Sequence, residues 1–165
     1  MWMVFIAAVM AALFSFVVMS SGDVNSEMRR NGYVAVAKQM ATYHAAAVAT
    51  CGTTCSAGVI NPAAKLPSVA QNLTNGRFAS YANGSGMIIT VFVANPVLST
   101  YKDGDVLAGL RVIYLSSPKV GTWNASTQMV ESAVRDSSNL IITTTVGSPF
   151  AGYTLHDRQP VIVGP

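Results

Sequence analysis

Two cysteines, two histidines and seven carboxylates are the groups in this 165-residue chain most able to do redox, metal or acid–base chemistry. Their spacing argues for structure rather than catalysis. Cys51 and Cys55 lie four apart, which is not the Cys-x-x-Cys of a thioredoxin-type redox site. In an oxidising compartment such a pair forms a structural disulfide. A zinc site would need further ligands. His44 falls about two helical turns before Cys51, so a Cys/Cys/His set is conceivable but weak, and His156 is far along the chain. Asp103-Gly104-Asp105 is too short a set of oxygens for a Ca²⁺ loop, and helix capping accounts for it. His156-Asp157 is an adjacent acid/base pair with no third group placed by sequence. No Gly-x-Ser-x-Gly elbow is present, and Gly84-Ser85-Gly86 reads as a turn because no Gly-Lys-Ser/Thr follows it. The expectation is therefore no enzyme, no catalytic residue, no metal, no cofactor and no small-molecule substrate, with Cys51 and Cys55 as the one chemical site.

The elements that would hold these groups begin with an uncharged start. Met1 to Gly22 carries no ionisable side chain. At about 1.5 Å per residue, ~20 helical residues span roughly 30 Å, the thickness of bilayer hydrocarbon. The stretch predicts a transmembrane anchor over residues 1–22, placing the chain in an inner membrane. It is long for a signal peptide and lacks a basic leading region and a clear cleavage site. Ala7, Ala8, Ala11, Ala12 and Ser15 gather small residues that would let membrane helices approach. The nearest basic residues, Arg29, Arg30 and Lys38, follow the stretch, which by the positive-inside rule favours a cytoplasmic domain. The cysteine pair favours export. The reading adopted is a single pass with a periplasmic domain over residues 23–165.

Ser26 can cap a second helix, and Glu27 and Arg30 have the i,i+3 spacing of an ion pair. Tyr33, Ala37, Met40, His44 and Val48 then recur every three or four residues, one apolar face of a helix ending near Gly52. His44 on that face reads as a partly buried structural histidine. Residues 53–86 are rich in turn formers, with a short helical turn over Pro62–Leu66 and a short strand over Arg77–Tyr81. Met87–Ala94 is almost continuously apolar and β-branched, which predicts a central strand buried on both faces. Asp105 is placed to cap a helix over Val106–Tyr114. Lys119–Trp123, Met129–Ala133, Leu140–Val146 and Pro160–Val163 read as further strands, with a hairpin turn at Asn124-Ala125-Ser126. The fold class is α+β: an N-terminal transmembrane helix, then an amphipathic helix packed on a small mixed or antiparallel β-sheet, a pilin-like plan.

Only 10% of residues are charged, against about 25% in ordinary soluble proteins. The ten basic residues are scattered, and Arg29-Arg30 is their only adjacent pair. Nucleic acid binding needs a basic cluster with interleaved aromatics, so no nucleic acid partner is expected.

The uncharged start, the helical segment Met40-Ala-Thr-Tyr-His-Ala-Ala-Ala-Val-Ala, the stretch Asn61-Pro-Ala-Ala-Lys-Leu-Pro-Ser and the end Asp157 followed by Pro160-Val-Ile-Val together resemble the PilM family of thin, type IVB conjugative pilus systems. The resemblance covers the whole plan through short motifs. The Cys51/Cys55 loop and the longer middle over residues 98–117 depart from it. It implies an inner-membrane-anchored periplasmic component of type IVB pilus biogenesis, in the basal body or pilin-export apparatus. Its partners would be other pilus-assembly proteins or pilins, and no active-site residues carry over. The alternatives are a minor pilin built into the filament and a secreted adhesin-like domain. A prepilin's basic leader ending in Gly is not present.

Overall fold

The computed structural model describes residues 2–52, 55–74, 76–84, 86–93, 101–115, 117, 119–127, 129–135, 141–145 and 155–164, with the backbone alone for 2–25, 72–74, 133–135 and 141–145. The chain divides into two compact units, Met1–Gly32 and Tyr33–Pro165. Helix α1 (Trp2–Cys51) contributes to both.

The expected transmembrane helix is corrected here: among the described residues, no helix is long and apolar enough to cross a membrane. The backbone also overturns the separate 22-residue element. The helix neither stops at Gly22 nor restarts at Ser26. It runs on through Asp23, Glu27, Arg29 and Arg30 as one rod of 50 residues and mixed polarity. The side chains of residues 1–22, including the small-residue face at Ala7 to Ser15, lie outside the described residues. In the first unit, residues 26–31 are exposed. Glu27 and Arg30 form no ion pair; among the described residues, ion pairs join His156 to Asp103 and Arg158 to Asp157.

The second unit is α+β. Its strands are β1 (Gly58–Ile60), β2 (Phe78–Ala82), β3 (Ile88–Phe92), β4 (Val120–Asn124), β5 (Met129–Arg135), β6 (Ile141–Thr145) and β7 (Pro160–Gly164). They form one seven-stranded sheet in the order β1-β2-β3-β7-β4-β5-β6. Every neighbouring pair is antiparallel. Two further helices are α2 (Ser68–Thr74) and α3 (Asp103–Tyr114), and a 3₁₀ turn spans Ala63–Lys65.

Strands β3 and β7 lie side by side at the centre, and all five residues of each are buried. That explains their continuous apolarity, because a strand covered on both faces has no solvent side to make polar. Alternate residues divide between the two faces. Phe92 and Ile162 join Val36, Ala37 and Met40 of α1 and Val106 and Leu110 of α3 in one core. Ile89, Val91, Val161 and Val163 point the other way, into a cluster with Tyr81, Trp123 and Val130. Met40, Phe92 and Ile162 are each almost fully buried, and burying such a side chain stabilises by about 1.5–3 kcal/mol.

Two details correct the sequence reading. The cap of α3 is Lys102, not Asp105. Asp105 sits inside the first turn and accepts the Lys102 backbone N–H at 3.2 Å. Strand β1 and helix α2 arise within the turn-rich stretch, where no strand or α-helix is predicted before Arg77. The strand expected over Leu140–Val146 is present as β6 (Ile141–Thr145), at the sheet edge; Leu140 and Val146 lie outside the described residues.

Candidate functional site

Two polar constellations emerge from this frame. The first is a cleft of ≈ 490 Å³ between the start of α3, the end of β4, β5 and the turn before β7. Asp103 begins α3 and accepts from the ring of His156, with Nε2 2.7 Å from its Oδ2. Its other oxygen, Oδ1, is buried with no hydrogen-bond partner among the described residues. Glu131 on β5 accepts the Asn124 side-chain amide at 2.6 Å. Asn124 also closes the β4–β5 hairpin, its Oδ1 accepting the backbone N–H groups of Ser126 and Thr127.

The turn before β7 is held by Gln159, which is fully buried. Its side-chain amide donates to the Phe92 carbonyl at 2.8 Å, and its Oε1 accepts the His156 N–H at 3.1 Å. This lock forces Arg158 into the left-handed region at φ 62°, a conformation uncommon for a long side chain. Asp157 then accepts the Ala125 N–H at 3.3 Å and lies 3.9 Å from the Arg158 guanidinium. Asp103, Glu131 and Asp157 line the cleft together with Arg158, so it presents carboxylate acceptors beside a guanidinium. Among the described residues, no cluster of His, Cys, Asp and Glu is arranged to hold a metal.

The sequence pairing of His156 with Asp157 is thus not the one the fold makes: His156 meets Asp103, 53 residues away. The pair is half exposed on the histidine side, where ion pairs contribute about 0–1 kcal/mol. His156→Gln should therefore lower the stability of the full chain by under about 1 kcal/mol in urea denaturation. A larger loss would mean that His156 also holds the turn through contacts other than Asp103.

The second constellation is buried beneath α1. His44 Nδ1 lies 2.9 Å from Thr90 Oγ1 on β3, and Thr90 Oγ1 lies 2.6 Å from Ser80 Oγ on β2. Ser80 and Thr90 are paired across the two strands and are fully buried. Burial, with help from the charge of Lys119, pushes the His44 pKa down to about 4. The ring is neutral at neutral pH, which agrees with the structural histidine read from the sequence. Ser80, Thr90 and Lys119 were not singled out there. The available signal was parity, since Ser80 and Thr90 interrupt apolar strands on the face that α1 covers.

Cys51 and Cys55, the one site read from the sequence, are joined in a disulfide with Cα atoms 5.0 Å apart. Cys51 is the last residue of α1, and Gly52 follows at φ 63°, the left-handed stop expected after a helix. Both cysteines pack against a small cluster of Ala47, Ile60, Ala82 and Ile88. Closing so short a loop contributes roughly 2 kcal/mol through the unfolded chain. The double variant Cys51→Ser, Cys55→Ser should lose that amount in thermal melts under oxidising conditions and match the wild type under reducing ones.

No family model, curated protein or solved structure matches the chain.

Proposed function

We propose that the chain is a periplasmic component of type IVB pilus biogenesis that acts by protein–protein contact, with other pilus-assembly proteins or pilins as its partners. The observation that carries the reading is the joining of one long helix to an antiparallel sheet. The part of α1 from Val36 onward packs against β2, β3, β4 and β7, as in the pilin-like plan. The disulfide at the end of α1 supports an oxidising compartment. The reading assigns no reaction, cofactor or nucleic acid.

The test is deletion of the coding sequence in a strain that builds thin pili, followed by complementation with the full chain. Loss of pili and of conjugative transfer, restored by the complement, is expected. Normal piliation in the deletion strain would overturn the proposal. A second reading, minor pilin, is favoured by the unbroken course of α1 from Trp2 to Cys51, because one continuous helix suits packing inside a filament. It predicts the chain in sheared filaments, whereas an assembly factor stays with the cells.

A further inference from the structure

We propose that His44 is a proton-sensitive pin that holds the last turns of α1, from His44 to Cys51, on the sheet, and that its protonation releases that end. The inference goes beyond the pilus reading and does not depend on it. The His44–Thr90–Ser80 chain ties α1 to β3 and β2. With a neutral ring, one hydrogen bond joins Nδ1 to the Thr90 hydroxyl and a second joins Thr90 to the Ser80 hydroxyl, in the direction the ring tautomer sets. The other edge of the ring is boxed in. A Cβ built on Gly164 of β7 would lie 3.1 Å from His44 Nε2 and 3.9 Å from the Lys119 ammonium.

A protonated ring is disfavoured in this place, because its charge would be buried away from water and would sit near the Lys119 ammonium. The groups facing the ring are Thr90 from β3, Ser80 from β2, Gly164 from β7 and Lys119 from the segment before β4. Lys119 is the charged group among them, and among the described residues no carboxylate offsets it. On α1 itself the residues one turn either side, Met40, Ala47 and Val48, are apolar.

Position decides what is released. On one side of His44, Ala37 and Met40 are set in the large core with Phe78, Phe92, Leu110 and Ile162. On the other side, Ala47, Val48 and Cys51 meet only the small cluster around Ile60, Ala82 and Ile88. Loss of the pin therefore frees the far end first. The seated ring stays neutral down to about pH 4, whereas a released ring titrates near 6.5. Release is therefore suppressed above pH 6.5, grows as pH falls from 6.5 to about 4, and levels off below that.

The experiment is amide hydrogen exchange on the full chain, with opening constants corrected for intrinsic exchange, alongside NMR titration of the two histidine rings. Between pH 7 and 4 the opening constant of residues 44–51 should rise on the order of 10²-fold, while residues 36–43 and the β4–β5 hairpin change little. In His44→Gln the rise should disappear. Lys119→Met removes an exposed charged side chain and should raise the His44 titration midpoint. Titration of His44 near 6.5 would overturn the proposal, as would an equal acid response throughout the sheet. If His44→Gln does not fold, an unchanged His44 midpoint in Lys119→Met also overturns it.

Discussion

Met40→Asp prevents the unit of residues 33–165 from folding, whereas Met40→Leu leaves it nearly as stable as the wild type. Met40 is fully buried on α1, at the meeting point of α1, α3 and four strands. Leucine keeps the volume and the apolar character, and such swaps usually cost under about 1.5 kcal/mol. Alanine leaves a cavity and should cost about 2–5 kcal/mol. Aspartate does worse than either. It removes the same packing and either brings an unpaired charge out of water or takes up a proton to avoid doing so. A domain stabilised by only about 5–15 kcal/mol has little margin for that sum. Urea denaturation of the full chain, followed by the fluorescence of buried Trp123, should rank the variants Leu, Ala, Asp. A normal, cooperative transition in Met40→Asp would mean that α1 does not seat Met40 in this core.

The helical stripe that fixes Met40 was legible because it is a short-range pattern. Tyr33, Ala37, Met40, His44 and Val48 repeat within one element, and the observed buried set, Val36, Ala37, Met40, His44, Ala46 and Ala47, follows the same face. Strands β3 and β7 were legible for a related reason: burial on both faces writes an apolar run into the chain whatever the neighbours are. Neighbour choice was not legible. β7 pairs with β3 and β4, and nothing local in Pro160-Val-Ile-Val specifies either partner. The cleft was hidden for the same reason, since its carboxylates, Asp103, Glu131 and Asp157, come from three separate elements. The misreading of residues 1–31 has another origin. Gly22, Asp23, Asn25 and Ser26 each lower helix propensity by only about 1 kcal/mol or less, and the backbone of α1 continues through them. A polar break in sequence is therefore not by itself a helix boundary.

The last result expected separates two glycines of the same helix. Gly109 and Gly104 both lie in α3, and intrinsic propensity alone says that alanine should improve either position by about 1 kcal/mol. Packing reverses the sign at one of them. A Cβ at Gly109 would collide with the backbone carbonyl of Tyr33 and sit 2.9 Å from the Cβ of Ala37, both on α1. The carbonyl belongs to a helical turn and cannot rotate away, so the two helices must separate. Separation loosens Val106 and Leu110 against Val36, Ala37 and Met40. Overpacking of this kind costs about 1–3 kcal/mol for one added methyl, and Gly109→Leu should prevent α3 from docking. At Gly104 a Cβ meets nothing within 4 Å, so Gly104→Ala should keep the propensity gain and raise stability by about 0.5–1 kcal/mol. Opposite shifts of the denaturation midpoint in the two alanine variants are the expected outcome. A gain at both positions would mean that α3 and α1 do not cross at Gly109, and the core built around Met40 would then need a different covering element.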